Sequence, residues 1–249
     1  MNRYFKEKTP KIGSWITLPN SSIAEIMAKS GFDWLAVDLE HSAINISQAE
    51  ELIRTIDLCG IKPLVRLTFN DKNQIKRVMD SGSHGIIVPM INSLSDLEYS
   101  YKALKYPPSG NRGVGLARAQ GYGRKFNHYL DWQSSEPLLI AQIEHIDAVN
   151  NIEEILSYEH LDAIIIGPYD LSGSLGVPGE FNHPDFIAAI SRIEEVSKEL
   201  DLPKGIHVIE PDIDEVNHRI EEGYKMIAYS LDIRMLDSQC KALFDNIRV

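Results

Sequence analysis

The sequence has little cysteine, a shortage of positive charge and no long apolar run, and each shortage excludes a class of protein. Cys59 and Cys240 are the two cysteines of the 249 residues, so neither a disulfide framework nor a C-x-x-C zinc or redox site is available. Lysine and arginine number 25 against 36 aspartate and glutamate residues, and the formal net charge of −11 argues against nucleic acid or an acidic membrane as a partner. No segment approaches the ~20 apolar residues of a membrane span, and the charged start lacks the apolar core of a signal peptide. We therefore expect a cytoplasmic protein that binds neither nucleic acid nor membrane.

Glycine-rich phosphate-binding motifs, G-x-G-x-x-G and G-x-x-x-x-G-K-[ST], are absent as well. What the sequence has is an alternation of short apolar, β-rich segments with longer helical patterns. The weak polar alternation within these segments is typical of strands buried on both faces of a parallel sheet. Eight strands and their helices predict a (β/α)8 TIM barrel of the α/β class, forming one domain over residues 1–249, with a doubly wound open sheet as the alternative. The predicted strands are 12–18, 33–39, 62–69, 85–91, 137–144, 162–168, 204–210 and 225–231.

Helical patterns fill the intervals between the strands. The segment 21–31 has a serine N-cap pattern, and Ser47 with Glu50 three residues later has the pattern of a capping box. The segment 106–137 is the longest one without a regular pattern. Its aromatic residues predict an interface between subunits, with capping of the barrel bottom or the lining of a lid as the alternative. These aromatic residues are Tyr106, Tyr122, Phe126, Tyr129 and Trp132.

Enzymes with this fold carry their chemistry at the C-terminal ends of the strands, so the polar residues at those positions are the candidates. Glu144 and Asp170 end adjacent predicted strands, and two such carboxylates suit a Mg²⁺ or Mn²⁺ ion. From spacing alone, solvated carboxylates are an equally good interpretation. The strand-end polar residues are Asp38, Glu40, His41, Arg66, Gln142, Glu144, Asp170, His207, Glu210, Ser230 and Asp232.

Two further residues have the chemistry of a catalytic site. His41 is a candidate general base because the pKa of histidine lies near neutral pH, and the alternative is a surface loop histidine. Arg66 lies inside an apolar strand and needs an anionic partner, either a neighbouring carboxylate or a substrate oxyanion. Lys62, Lys204 and Lys225 stand at strand starts, which disfavours a lysine-imine mechanism.

Seven segments, in order and naturally spaced between residues 11 and 235, resemble the HpcH/HpaI aldolase family. The segment GPYDLSGSLG (167–176) resembles the signature G-P-x-D-L-S-x-S-L-G of that family. The resemblance implies a metal-dependent class II aldolase, similar to 4-hydroxy-2-oxoheptanedioate aldolases, that cleaves a 4-hydroxy-2-keto acid into pyruvate, or a close 2-keto acid, and an aldehyde. The other segments are FDWLAVDLEH (32–41), PLVRL (63–67), IIVPMI (86–91), YPPSGNRGVG (106–115), AQIEH (141–145) and NHPDF (182–186).

The resemblance also implies roles for single residues. Glu144 and Asp170 match ligands of a divalent cation, Mg²⁺ or Mn²⁺ with Co²⁺ as a further option, and Gln142 matches a substrate contact. His41 matches the catalytic base, and Arg66 matches the residue that stabilises the transition state.

Two more implied features concern Asp80 and the backbone near Asp170. Asp80 matches a residue that raises the basicity of the histidine, but it ends a helix and would have to act from a neighbouring subunit or through an unusual bend. The resemblance implies such a homo-oligomer, a hexamer built as a trimer of dimers. The backbone N–H groups of Tyr169 and Asp170 open a helical segment and are candidates to bind the substrate carboxylate.

The sequence departs from the family pattern at Tyr169, where a small residue is usual, and at His207, where an apolar residue is common. These departures leave the aldehyde open. Two alternatives to the aldolase are a carbon–carbon lyase acting on a CoA thioester, similar to the citrate lyase β subunit, and a non-catalytic barrel. The acidic balance argues against the first, and the intact set of candidate residues argues against the second.

Overall fold

Short runs rich in isoleucine, leucine and valine form eight parallel strands that close into a barrel. The structure, a computed structural model, describes residues 4–247, except for the side chain of Asn246. The strands pair in sequence order and the last pairs with the first, which confirms the predicted TIM barrel and excludes the open sheet. The assignment of all 249 residues to one domain stays a prediction. The strands are β1 (Lys11–Ile16), β2 (Trp34–Asp38), β3 (Lys62–Arg66), β4 (Gly85–Val88), β5 (Leu138–Ile143), β6 (Ala163–Ile166), β7 (Lys204–Val208) and β8 (Met226–Leu231).

Helices follow the strands and surround the barrel. Within residues 4–247, no helix is both long enough and apolar enough to pass through a bilayer. Two 3₁₀ turns are present at Tyr4–Lys6 and Arg118–Gln120. The α-helices are α1 (Ser21–Ala28), α2 (Ile46–Leu58), α3 (Lys72–Asp80), α4 (Leu94–Leu104), α5 (Phe126–Ser135), α6 (Ile146–Asn150), α7 (Ile152–Leu156), α8 (Pro168–Ser174), α9 (Pro184–Glu199), α10 (Ile213–Glu221) and α11 (Asp232–Asn246).

Asparagine side chains cap the first two helices, where the sequence predicted serine. Asn20 accepts hydrogen bonds from the backbone N–H groups of Ser22 and Ile23 at the start of α1. Asn45 and Gln48 form a capping box at the start of α2, so the predicted box at Ser47 is wrong. An N-cap residue must be extended and directly precede the first helical residue, and Asn45 meets both conditions.

Alternate residues of each strand point into the barrel, and this period of two sets the position of the polar site. On β2, Trp34 and Ala36 fill the barrel interior, while Leu35 and Val37 pack outward against the helices. By the same period, the side chain of Asp38 at the end of the strand also points into the barrel. The apolar layers therefore fill the lower part of the barrel, and the next inward positions at the C-terminal ends are polar: Asp38, Arg66, Gln142 and His207.

The segment between β4 and β5 is more ordered than the sequence suggested. Tyr106 and Tyr129 are buried around Arg112, whose guanidinium lies 4.2 Å from the Tyr106 ring centroid and donates to the Tyr129 hydroxyl at 2.8 Å. Arg118 donates to the carbonyl oxygen of Ser81 at 3.0 Å, near the N-terminal ends of the strands. The prediction that these aromatics form an interface is therefore wrong for Tyr106 and Tyr129, which are buried within the chain.

Candidate active site

A cavity of about 260 Å³ opens at the C-terminal end of the barrel. Six of the seven predicted site residues line it, and the seventh, Asp80, does not. These side chains come from β3, from the end of β5 and the residue after it, from the loop after β2 and from the start of α8, so closure of the barrel brings together residues that are far apart in the sequence. The residues predicted to form the site and found here are His41, Arg66, Gln142, Glu144, Tyr169 and Asp170.

Arg66 is held by a bidentate ion pair with Asp38. Its Nε donates to Asp38 Oδ1 at 2.9 Å and its Nη2 donates to Oδ2 at 2.7 Å. The Asp38 side chain is 1% exposed, so this pair is largely removed from water. The guanidinium also lies 4.3 Å from the Trp15 ring centroid, a cation–π contact. These contacts fix the guanidinium plane and leave Nη1 directed to Gln142 Oε1, 3.5 Å away.

Gln142 and Glu144 are adjacent inward positions at the end of β5. Gln142 Nε2 donates to Glu144 Oε2 at 2.5 Å and to Glu40 Oε2 at 3.3 Å. The second oxygen of Glu144 accepts the backbone N–H of Met90 at 2.7 Å. Met90 has a φ of 53°, an uncommon backbone conformation for a residue other than glycine. Such strain at a site is typical of a functional constraint.

The carboxylates of the cavity repel one another. Burial, together with the negative charges of Glu40 and Asp170, raises the pKa of Glu144 to about 7 in spite of its two hydrogen bonds. Burial is also the main cause of the raised pKa of Glu40, although the positive charge of Arg66 opposes it. A cation placed among these groups would relieve both the repulsion and the cost of burying the charge.

Glu144 and Asp170 could hold such a cation. Glu144 is 2% exposed whereas Asp170 is open to solvent, and both are oxygen donors, as Mg²⁺ and Mn²⁺ prefer. No group of three or more acidic, histidine or cysteine side chains that could enclose a metal exists between residues 4 and 247. The site would therefore leave most coordination positions to water or substrate, which suits a catalytic rather than a structural metal.

A close backbone approach shapes this part of the cavity. Gly167 precedes α8, and a Cβ atom at this position would lie 2.8 Å from both Cβ and Oε2 of Glu144. A larger residue would therefore displace the Glu144 side chain. The first helical residue is Pro168, and the N–H groups of Tyr169 and Asp170 that follow have no acceptor within the first turn.

His41 lies at the open side of the cavity. Its Nε2 is 3.7 Å from Glu40 Oε2, and its side chain is 62% exposed. Its backbone N–H donates to Asp38 Oδ1 at 3.3 Å, which ties the loop to the carboxylate that holds Arg66. The imidazole is thus accessible both to a substrate and to solvent.

Asp80 does not line this cavity. It ends α3, on the side of the barrel where the strands begin, and its Oδ1 is 3.5 Å from Nη1 of the buried Arg112. Burial raises the pKa of the Asp80 carboxyl. Within one chain the structure does not bring Asp80 to His41, so a role beside His41 would need a second subunit.

Sequence reasoning assigned no role to Trp15, Glu40 or Met90, which all contribute to the site. Trp15 could have been found, because the period of two along β1 places it inward with Gly13. Glu40 was one of the polar residues at the strand ends, without a role of its own. Met90 contributes a backbone N–H group, for which a side-chain pattern contains no signal.

Known proteins resemble this chain over most of its length. A sequence profile of the HpcH/HpaI aldolase/citrate lyase family matches residues 11–238. The chain is 35% identical over 227 residues to the hydroxypyruvate/pyruvate aldolase of Sagittula stellata, covering 91% of this chain and 88% of that protein. It is 34% identical over 240 residues to the 4-hydroxy-2-oxo-heptane-1,7-dioate aldolase of Shigella sonnei, covering 96% and 90%.

A solved structure extends the comparison to three dimensions. The crystal structure of an HpcH/HpaI aldolase/citrate lyase family protein from Burkholderia cenocepacia J2315 matches with a TM-score of 0.90 and 29% identity, covering 98% of this chain and 96% of that one. These matches confirm the resemblance carried by the seven sequence segments, and the chain belongs to the HpcH/HpaI aldolase/citrate lyase family.

Proposed function

We propose that the protein is a metal-dependent class II aldolase that reversibly cleaves a 4-hydroxy-2-keto acid into pyruvate, or a close 2-keto acid, and an aldehyde. The observation that carries the proposal is the buried Glu144, whose pKa is raised to about 7, beside Asp170 and within the same cavity as Arg66. The names of the two relatives, aldolases for hydroxypyruvate or pyruvate and for a 4-hydroxy-2-oxo diacid, support the same reaction class.

The cation would be held by Glu144 and Asp170. Bound there, Mg²⁺, Mn²⁺ or Co²⁺ would act as a Lewis acid that stabilises negative charge on the oxygens of the keto acid. The raised pKa of Glu144 supports this assignment, because a carboxylate that is costly to ionise alone is stabilised by a nearby positive charge.

His41 is the proposed base for cleavage. It accepts the proton of the substrate's 4-hydroxyl, and the C3–C4 bond then breaks to release the aldehyde. The electron pair of that bond moves into the C2 carbonyl and produces the enolate of the keto acid, which a proton at C3 converts to product. Glu40, 3.7 Å from His41 Nε2, stabilises the imidazolium that forms.

Arg66 is the proposed stabiliser of the enolate. Its guanidinium is fixed by Asp38 and Trp15 before substrate arrives, so no reorganisation is needed when charge develops on the substrate oxygen. The Nη1 group faces Gln142 and is the part of the guanidinium with the weakest protein contact. Gln142 and the N–H groups of Tyr169 and Asp170 are proposed to position the substrate carboxylate.

The test is condensation of pyruvate with a panel of aldehydes, with and without Mg²⁺, Mn²⁺ or Co²⁺, followed by product analysis. Activity should require the metal and should be lost in EDTA. Borohydride with pyruvate should leave the enzyme active, because no lysine lines the cavity among the described residues.

A pair of variants separates the proposed site from the protein surface. Asp170→Ala should lose metal binding and activity together, whereas Asp147→Ala, which removes an exposed carboxylate on α6, should retain both. Full metal-supported turnover by Asp170→Ala would contradict the metal site.

A further inference from the structure

The wall of the cavity opposite the proposed metal ligands contains an unusual polar residue. Glu144 and Asp170 follow β5 and β6, and Arg66 ends β3, so the keto acid is expected in that half of the ring. The other half is built by β7, β8 and β1 and is left for the aldehyde. It consists mainly of apolar and aromatic side chains, with one hydroxyl and one imidazole among them: Trp15, Thr17, His207, Ile209 and Leu231.

One nitrogen of His207 is occupied by the barrel itself. Nε2 lies 3.1 Å from the backbone carbonyl oxygen of Ser230, and since a carbonyl oxygen only accepts, Nε2 must carry the hydrogen. The ring also packs edge-on against Trp15, with centroids 5.7 Å apart. The tautomer and the ring orientation are therefore fixed, and Nδ1 is left as a hydrogen-bond acceptor.

Nδ1 makes no hydrogen bond to any residue between 4 and 247, although the ring lines the cavity. The imidazole is neutral near pH 7, because burial, aided by the charge of Arg66, lowers its pKa to about 4. Thr17, the other polar group on this wall, donates its hydroxyl to Asp232 at 2.5 Å. Among the described side chains of this wall, His207 Nδ1 is therefore the acceptor atom that makes no hydrogen bond.

Charge narrows the choice of aldehyde. Among the described residues that line the cavity, the basic side chains are Arg66, already paired with Asp38, and the exposed His41. A carboxylate at the far end of the aldehyde would find no free cation on the wall formed by β7, β8 and β1. A hydroxyl group, in contrast, can donate to Nδ1, and a purely alkyl aldehyde would leave this acceptor without a partner.

The volume of the cavity limits the choice of aldehyde as well. A volume of about 260 Å³ lies just below the usual range of ligand pockets, roughly 300–1,000 Å³, and both reactants must share it. We propose, on the basis of the aldolase function proposed above, that the aldehyde is a short, uncharged hydroxyaldehyde and that His207 Nδ1 accepts a hydrogen bond from its hydroxyl. His207 is then a specificity-determining residue.

The experiment compares condensation of pyruvate with glycolaldehyde and with propanal, which carries a methyl group in place of the hydroxyl. The ratio of the two kcat/KM values cancels any general loss of activity. His207→Leu should lower this ratio about tenfold, the effect of losing one hydrogen bond of about 1.4 kcal/mol. Succinic semialdehyde, which carries a carboxylate, should be a poorer substrate of the wild type than glycolaldehyde.

Two amide variants test the geometry. His207→Gln can keep the donor to Ser230 but has no acceptor at the Nδ1 position, so its ratio should fall as in His207→Leu. His207→Asn places its amide near the Nδ1 position and should restore part of the ratio. Thermal melting of each variant reports whether it folds.

Solvent exchange of the C3 hydrogens of pyruvate, which needs no aldehyde, is measured on the same samples. Two results would overturn the assignment of His207 without contradicting the aldolase function, provided that the wild type catalyses exchange. One is an unchanged aldehyde ratio in His207→Leu, and the other is a preference of the wild type for succinic semialdehyde. Absence of both exchange and condensation in the wild type would overturn the proposed function and this inference with it.

Discussion

Removing Arg66 should damage both stability and catalysis, and a second substitution should separate the two effects. Arg66 and Asp38 form a bidentate pair in which the aspartate is 1% exposed and the arginine 13%. In Arg66→Met the Asp38 carboxylate loses its cation and remains buried. The backbone N–H groups of Glu40 and His41 still donate to it, at 3.0 and 3.3 Å, and reduce the loss.

The stability effect follows from this geometry. Breaking a buried ion pair by removing one partner costs about 3–5 kcal/mol, and the two remaining N–H donors place Arg66→Met near the lower end, at about 3 kcal/mol. For a protein of this size, about 1 kcal/mol lowers the melting temperature by roughly 2–4 °C, so a decrease of about 6–12 °C is expected. The value of kcat should fall by about 10²–10³, the effect of losing one preorganised donor to an oxyanion.

The double variant Asp38→Asn/Arg66→Met removes both charges. It should recover part of the lost stability, because the buried charge of Asp38 is removed, although Glu40, whose Oε2 lies 3.4 Å from Arg66 Nε, still loses its cation. The value of kcat should stay low because the cation that stabilises the enolate is absent. A melting curve and kcat measured on the same sample separate the outcomes. Recovery of kcat in the double variant, or a normal kcat in folded Arg66→Met, would show that Arg66 serves only as an ion-pair partner.

Three further predictions concern other positions. Gly167→Ala should lower activity with little change in the melting temperature, because its Cβ would lie 2.8 Å from Glu144, whereas Gly173→Ala, which has open space around its Cβ, is the control and should remain active. Burial lowers the pKa of Lys105 from 10.5 to about 8, so with rising pH the folded chain loses this proton before the unfolded chain does. The free energy of unfolding should therefore rise between pH 8 and 10.5, by at most ~3 kcal/mol, when it is compared with that of Lys105→Met. Light scattering should show a homo-oligomer, with a hexamer expected, in which Asp80→Asn lowers activity, and a fully active 28.1 kDa monomer would contradict both the assembly and that role.

The order and number of the strands could be read from the sequence because burial on both faces leaves a local pattern. Each predicted strand overlaps an observed one, and every observed strand is shorter than predicted, because loop residues at the strand ends were included in the predictions. Helix starts were less predictable. Asn45 and Ser47 have similar capping propensities, and the path of the preceding loop decides between them.

The residues that face the cavity could also be read from the sequence, since a period of two along each strand places Asp38, Arg66 and Gln142 on the inward face beyond the last apolar layer. The interaction partners of these residues could not be read from the sequence. Spacing left Arg66 undecided between a carboxylate and a substrate, and the fold provides Asp38 on the neighbouring strand with Trp15 against the guanidinium.

Tertiary structure alone decided the remaining features, because they depend on distances between residues remote in the sequence. Gln142 contacts Glu40 across 102 positions, and Glu144 accepts the N–H of Met90, which no side-chain pattern marks. Asp80 is likewise separated from His41 because the two residues lie at opposite ends of the barrel. The sequence determined which side chains face inward, since that is a local property of a strand, and the closure of the barrel determined which of them meet.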